Sequence, residues 1–285
     1  MKNFLKTSDI GVAELEGIIE GAIRIKSGQV NDKPLAGKSV ALVFFNPSLR
    51  TRASMQIGVY ELGGNAVILE PGSTSWTLEH REGVVMDGNK TEHLKEFVRV
   101  LSRYVSVIGV RTFAELKDWE VERTDPVLKA FARYSPVPVI NLESAMHHPC
   151  QSMADMMTIR EKLGTAKKKV LLTWAWHPKP LPMAVPNSFG LAAAQFGHDL
   201  RIALHGDLLA KHVGLGILRE SVDATAECAT ENRLLKNLCR TTPLHHVNVP
   251  EPVRLRRQFT HAPCARRRRR IRTPAPPMKA ASPLA

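Results

Sequence analysis

Cysteine, aromatic residues and long apolar runs are all scarce in this sequence of 285 residues. Four cysteines are too few for a disulfide framework, and no apolar stretch approaches the length of a membrane span. No stretch of signal-peptide type follows the first residues, so we expect a soluble, cytoplasmic protein without a membrane partner. Hydrophobic residues still make up 44% of the chain, which is enough for a substantial core.

The net charge of +13 is concentrated at one end of the chain. Residues 206–285 contain 15 Lys and Arg against 6 Asp and Glu, a net charge of +9, whereas residues 1–205 have a net charge of +4. This tail includes five consecutive arginines at residues 266–270 and eight prolines, but one aromatic residue, Phe259. Arginine runs bind phosphate backbones non-specifically, but binding of single strands usually adds aromatic stacking. We therefore expect a disordered basic tail and no nucleic-acid partner.

Apolar runs typical of buried parallel strands alternate with segments of helical periodicity. Predicted strands cover residues 39–45, 66–69, 105–110, 137–141, 170–174 and 200–204, and predicted helices include residues 92–104 and 150–163. This alternation predicts an α/β fold with mostly parallel sheets.

The pattern divides the chain into three predicted regions. It restarts near Lys167, so we predict a first domain at residues 1–165 and the start of a second at residues 166–205. The last glycine is Gly216, so residues 217–285 lack the glycines that the turns of a further α/β domain need, and the tail also lacks apolar runs for central strands.

The segment Asn46-Pro47-Ser48-Leu49-Arg50-Thr51-Arg52 follows a predicted strand and opens a helix. Unpaired N–H groups and the helix dipole make such a helix terminus an anion site. Ser48 and Thr51 add hydroxyl donors, and Arg50 adds a bidentate fork for phosphate oxygens. The alternative is a serine N-cap with solvated arginines. The segment predicts a site for a small substrate that carries phosphate.

Two further strand ends supply groups for the same ligand. Arg111 ends one predicted strand, and His148 and Gln151 follow another. Ligands of open α/β sheets bind at this edge, where a histidine and an amide can polarise a carbonyl and hold its amino group. Glu143 is a candidate for binding an amine. For each residue alone, the alternative is a surface ion pair or a solvated loop residue, but together they predict an acyl phosphate site.

Other candidate residues lie in loops. Trp76, in a Gly/Ser/Thr-rich loop, is an interface or ligand group, or else part of the core. His177-Pro178-Lys179-Pro180-Leu181-Pro182 is a stiff cationic loop after a strand, and Asn187 begins the next helix. The sequence contains no Walker motif, no metal-ligand cluster and no G-x-G-x-x-G motif.

These motifs resemble the carbamoyltransferase family. The resemblance rests on S-x-R-T-R after a strand, an arginine that ends a later strand, and H-P-x-Q at residues 148–151, and it runs from about residue 3 to Leu204. The Trp76 loop and residues 134–141 and 177–181 resemble the branch that acts on N-acetylornithine. The ornithine and aspartate branches carry S-T-R-T-R, from which Leu49 departs.

The resemblance implies two α/β domains. The first would bind carbamoyl phosphate, and the second, which is incomplete here, would bind the amino acid. It also implies homotrimers with active sites between subunits, and no metal or organic cofactor. The implied reaction transfers a carbamoyl group from carbamoyl phosphate to the side-chain amine of N-acetylornithine. Its products are N-acetylcitrulline and phosphate, in arginine biosynthesis.

The resemblance also implies roles for individual residues. The phosphate would bind Ser48, the Leu49 backbone, Arg50 and Thr51. The carbamoyl group would bind Arg111 and His148, the catalytic pair, and Gln151. The amino acid would bind Glu143 and Asn187. Trp76 would reach the carbamoyl phosphate site of a neighbouring subunit.

Residues 205–285 depart from the family pattern. The family's second domain continues with more strands, more helices and a late H-C-L-P motif, and nothing after Leu204 matches. Together with the change in composition, this suggests a reading-frame shift near Leu204, or else a replacement by a basic tail. Three readings stay open: an impaired N-acetylornithine enzyme, an inactive carbamoyl-phosphate-binding remnant and an ornithine carbamoyltransferase.

The sequence also leaves open whether the substrate is N-acetylornithine or N-succinylornithine. We associate this selectivity with Lys90-Thr91-Glu92.

Overall fold

A computed structural model describes residues 3–114, 118–174 and 183–204 of the chain. The predictions for the 177–182 loop and for the 206–285 tail lie outside these residues. Within the described ranges, no helix is both long and apolar enough to cross a membrane.

Helices and strands alternate along the described residues as the sequence predicts. The helices are α1 (Val12–Lys26), α2 (Arg50–Glu61), α3 (Leu94–Leu101), α4 (Trp119–Glu122), α5 (Pro126–Tyr134), α6 (Pro149–Leu163) and α7 (Ala184–Gln195). The strands are β1 (Ser39–Phe44), β2 (Asn65–Leu69), β3 (Leu78–Glu79), β4 (Glu92–His93), β5 (Val107–Arg111), β6 (Val139–Glu143), β7 (Lys169–Trp174) and β8 (Asp199–Leu204).

The main sheet has the strand order β2-β1-β5-β6, and every neighbouring pair in it is parallel. Its register aligns Phe44 with Arg111, and Arg111 with Glu143. The carboxyl ends of β1, β5 and β6 therefore lie side by side, at the edge where such sheets bind ligands. Beyond β6, Phe4 pairs with Ile140 and covers the edge of the sheet.

The apolar sequence of β1 is buried on both of its faces. Residues 40–44 are each at most 6% exposed. Because successive side chains of a strand point to opposite faces, Ala41 and Val43 share a core cluster with α3 and α5, whereas Leu42 shares one with Val59 of α2. The helices on the two faces therefore explain why this strand is continuously apolar.

β7 and β8 form a separate, parallel two-stranded sheet. Leu200 and Ile202 of β8 share an apolar cluster with Leu15 of α1 and Met156 of α6. The same helix α6 also contacts β6 of the main sheet. The domain boundary that we predict near residue 165 falls between α6 and β7, and it stays a prediction.

One predicted helix begins later than the sequence suggested. We predicted a helix over residues 92–104, but Glu92 and His93 form β4, which pairs with β3, and α3 begins at Leu94. The His93 Nδ1 atom accepts a hydrogen bond from Lys95 N and so caps α3. The prediction was wrong at this end because strand pairing outweighed the local helical pattern.

Gly109, in the central strand β5, has no room for a side chain. A Cβ atom there would lie 2.9 Å from Leu142 Cδ1 and 3.1 Å from Leu42 Cδ2, and both leucines are buried. We expect Gly109→Ala to lower the free energy of unfolding, measured in urea, by about 1–3 kcal/mol, because a packed core resists added volume.

Gly58→Ala in α2 is the matched control, because a Cβ atom there meets nothing within 4 Å. This substitution should raise the free energy of unfolding by up to about 1 kcal/mol, through higher helix propensity. Equal effects of the two substitutions would contradict the packing described for β5.

Candidate active site

An open cleft of about 830 Å³ lies at the carboxyl ends of β1, β5 and β6. It is lined by the loop at residues 47–51, by Arg111 and Glu143, and by His148 and Gln151 of the β6–α6 connection. Eight of the ten predicted site residues therefore meet in one cleft, and Trp76 and Asn187 lie elsewhere.

The amino end of α2 opens into the cleft without a side-chain cap. The helix begins at Arg50, and the N-cap residue is Leu49, whose side chain makes no capping hydrogen bond. The alternative of a serine N-cap is therefore wrong. The first-turn N–H groups keep their partial positive charge, which makes this end of the helix attractive to an anion.

The two arginines of this segment have different surroundings. Arg52 Nη1 lies 2.7 Å from Glu70 Oε1, so Arg52 is held in an ion pair. Arg50 lines the cleft, and no ion-pair partner for it occurs among the residues that the structure describes. Arg50 is thus the arginine of this segment that is free to bind a phosphate oxygen.

Arg111 is 8% exposed and contacts both neighbouring strand ends. Its Nη1 donates to the Pro47 carbonyl oxygen at 2.9 Å, and its Nη2 donates to Glu143 Oε2 at 3.2 Å. The guanidinium carbon also lies 3.9 Å from the centre of the Phe113 ring. The alternative of a surface ion pair is wrong, because burial and three contacts fix this cation at the base of the cleft.

Glu143 is the last residue of β6 and is 7% exposed, so it is not a solvated loop residue. Its Oε2 lies 3.7 Å from His148 Nε2. Burial raises the pKa of the Glu143 carboxyl, and the Arg111 cation opposes that rise. A carboxylate in this position can bind an ammonium group or accept a proton from it.

His148 caps α6 and presents a neutral ring to the cleft. Its Nδ1 accepts a hydrogen bond from Gln151 N at 3.4 Å, which leaves the ring proton on Nε2. Burial, with Arg111 nearby, lowers the pKa of His148 to about 4. Its Nε2–H group is therefore placed to donate to a carbonyl oxygen.

The other three predicted residues have different positions. Gln151 lines the cleft, but its Nε2 donates to Asp155 Oδ1 at 2.9 Å. Asn187 is fully buried in α7 and donates to a backbone carbonyl of the loop before His148. Trp76 is 57% exposed, and its Nε1 donates to Glu92 Oε2 at 2.9 Å. Their functional roles stay predictions.

Two buried residues that the sequence analysis did not single out hold the loop before His148. Asn141 and Ser144 are both fully buried, and the Asn141 amide contacts Ser144 Oγ at 3.1 Å. The sequence signal that could have identified Asn141 is an asparagine within an apolar strand, because a buried amide must find hydrogen-bond partners. Within the described ranges, the cleft included, no group of three or more His, Cys, Asp or Glu side chains is arranged to hold a metal ion.

Comparisons with known proteins show which family this chain is similar to. Residues 2–161 match the family model described as aspartate/ornithine carbamoyltransferase, carbamoyl-P binding domain. An N-acetylornithine carbamoyltransferase of Xanthomonas campestris pv. campestris is 48% identical over 205 residues, which are 71% of this chain and 60% of that protein. An N-succinylornithine carbamoyltransferase of Bacteroides thetaiotaomicron is 43% identical over 190 residues, 66% of this chain and 59% of that protein.

A solved structure of the same family of enzymes is also similar to this chain. The crystal structure of acetylornithine transcarbamylase complexed with acetylcitrulline has a TM-score of 0.71 and 43% identity, covering 78% of this chain and 67% of that one. The chain spans about three fifths of the length of the relatives that it matches. The family match over residues 2–161 shows that this chain belongs to the aspartate/ornithine carbamoyltransferase family.

Proposed function

We propose that this chain transfers the carbamoyl group of carbamoyl phosphate to the side-chain amine of N-acetylornithine, giving N-acetylcitrulline and phosphate. The convergence of the open α2 terminus, Arg111 and the neutral His148 in one cleft carries the proposal. Relatives named N-acetylornithine carbamoyltransferase support the choice of amine. Similar enzymes have been crystallised with carbamyl phosphate or with acetylcitrulline.

In this proposal the phosphate group binds at the amino end of α2. The first-turn N–H groups, the hydroxyls of Ser48 and Thr51, and the Arg50 guanidinium surround it. The Leu49 side chain is 84% exposed, so Leu49 contributes only its backbone. These donors remain in place when phosphate becomes the leaving group, and they stabilise its growing charge.

The carbamoyl oxygen binds between Arg111 and His148. When the amine attacks the carbamoyl carbon, a C–N bond forms and negative charge develops on this oxygen. The guanidinium and the His148 Nε2–H group stabilise that charge, and the C–O bond to phosphate then breaks. Glu143 accepts the proton that the amine must lose, and Gln151 binds the carbamoyl amino group after its side chain turns from Asp155.

A second candidate function is binding of carbamoyl phosphate without turnover. The observation that favours it is that residues 2–161 match a family model described as the carbamoyl-P binding domain. The groups proposed to bind carbamoyl phosphate all lie within residues 48–151, which are part of that match.

We also propose that the protein is a cytoplasmic homotrimer in which Trp76 contributes to a neighbouring subunit's carbamoyl phosphate site. Trp76 is exposed and lies outside the cleft of its own chain, and an exposed tryptophan is a common interface group. Asn187 is proposed to support the amino-acid site from the first turns of α7.

The central experiment incubates the full chain with carbamoyl phosphate and, separately, N-acetylornithine, N-succinylornithine or ornithine. We expect N-acetylcitrulline and phosphate in equal amounts from the first amine. Carbamoyl phosphate binding without any product would support the second candidate function instead. Absence of both binding and product would contradict the two proposals together.

Arg50→Ala should weaken carbamoyl phosphate binding, measured by calorimetry, by about 10- to 100-fold, because it removes charge-assisted hydrogen bonds to the phosphate. Arg52→Ala is the matched control, since this neighbouring arginine is paired with Glu70. It should change the affinity by less than about threefold. An equal loss in both variants would refute the phosphate site at α2.

The His148 ring should stay neutral from pH 8 to about pH 5.5, because its pKa lies at about 4. A ¹⁵N NMR titration, with His148→Gln to assign the signal, measures this. Since the folded-state pKa lies below the unfolded value of 6.5, the ring lowers the stability of the fold as pH falls from 6.5 to 4. A midpoint near pH 6.5 would contradict a neutral donor.

Trp76→Ala and Arg50→Ala subunits should complement each other if Trp76 serves a neighbouring site. Each variant alone is expected to bind carbamoyl phosphate poorly. Mixed trimers contain some sites with both native residues, so dissociating and reassociating a mixture should restore part of the binding. A monomer in analytical ultracentrifugation, or a mixture no better than its parts, would rule out this arrangement.

A further inference from the structure

Asn141 is a buried residue of β6 that the proposed reaction does not use. It is fully buried, and it lies two residues before Glu143 and seven before His148 in the sequence. Burying an amide is costly unless its donors and its acceptor are hydrogen bonded. The contacts that Asn141 makes therefore show what its side chain holds.

The Asn141 side chain hydrogen bonds to the chain on both sides of the site. Its Oδ1 accepts from the Glu143 backbone N at 2.9 Å. Its Nδ2 donates to the His147 carbonyl oxygen at 3.0 Å and to the Leu5 carbonyl oxygen at 2.9 Å. One amide thus fixes the residue before His148, the Glu143 backbone and the N-terminal segment that extends the sheet.

Ser144 makes further hydrogen bonds that hold the same turn. Its hydroxyl donates to Asp125 Oδ2 at 2.8 Å and accepts from His147 N at 3.1 Å. Asp125 precedes α5, so this brace connects the turn to a helix that packs on the sheet. The turn between Glu143 and His148 is therefore held at several points, with Asn141 as the member that touches both of its ends.

We propose that Asn141 is a positioning residue, which sets the separation of Glu143 and His148 and so gives the cleft its preference for carbamoyl phosphate over inorganic phosphate. The two side chains that it positions lie 3.7 Å apart, Oε2 to Nε2. The inference rests on the proposed function, because it takes the carbamoyl oxygen as the ligand of His148. The phosphate site at residues 48–51 belongs to the β1–α2 connection, and the Asn141 side chain makes no hydrogen bond to these four residues.

Asn141→Asp is the sharpest variant because the two side chains have nearly the same shape. Aspartate keeps an oxygen for the Glu143 N–H group, but it replaces the Nδ2 donor with a second oxygen. That oxygen would face the carbonyl oxygens of Leu5 and His147, so the turn is expected to move away.

Ser144→Ala is the second variant. It removes one contact of Asn141 Nδ2 and the hydrogen bond to Asp125, and it places no charge in the core.

The measurement is the pair of dissociation constants for inorganic phosphate and carbamoyl phosphate, by calorimetry on the full chain. We expect the ratio of the phosphate constant to the carbamoyl phosphate constant to fall about tenfold in Asn141→Asp, the size expected for a lost hydrogen bond to a bound group. In Ser144→Ala we expect a fall of about threefold. Phosphate affinity itself should change little in either variant. Partial unfolding would weaken both ligands equally and leave the ratio unchanged.

Ser102→Ala is the matched control. Ser102 is a buried hydroxyl at the end of α3, where it donates to the Val98 carbonyl oxygen at 2.6 Å, and it is not part of the cleft lining. Its replacement also removes a buried hydrogen bond, but it should leave the ratio unchanged. A ratio that stays at the wild-type value in both Asn141→Asp and Ser144→Ala, while each variant keeps its affinity for inorganic phosphate, would overturn the positioning role. A wild-type chain with equal affinities would overturn the proposed function, and this inference with it.

Discussion

Arg111 contacts both of the other strand ends that form the cleft, and the rest of the site is arranged around it. Its guanidinium donates to the Pro47 carbonyl after β1 and pairs with Glu143 at the end of β6. Removing an arginine from water is costly unless it is paired, so these contacts offset much of that cost. They require the observed register, because a shift of β5 by one residue would turn Arg111 to the other face of the sheet.

Around this cation, the cleft separates three chemical tasks. An open helix terminus with Arg50 suits a doubly charged phosphate, and a neutral His148 beside Arg111 suits a carbonyl oxygen. Glu143 supplies the only carboxylate among the described residues that line the cleft, and it suits an amine. The turn that joins Glu143 to His148 is held by Asn141, so the spacing of two of these groups depends on one buried amide. This division explains how one cleft can bind an acyl phosphate and present its carbon to a nucleophile.

Much of this arrangement follows from local sequence. Apolar runs predict the central strands, and parallel strands bring Ser48, Arg111 and Glu143 to one edge. Contacts between distant segments were not predictable in the same way. The pairing of β3 with β4 displaced the start of α3, and the bond from Asn141 to the Leu5 carbonyl joins residues 136 positions apart. The burial of Glu143 likewise depends on neighbours in space rather than on its own sequence context.

A crystal structure of the chain with carbamoyl phosphate tests the central claim most directly. The account predicts phosphate oxygens at the first-turn N–H groups of α2 and at Arg50. It also predicts the carbamoyl oxygen within hydrogen-bond distance of Arg111 and His148 Nε2. Carbamoyl phosphate bound at another surface, or bound in this cleft with its carbonyl oxygen directed away from His148, would contradict it.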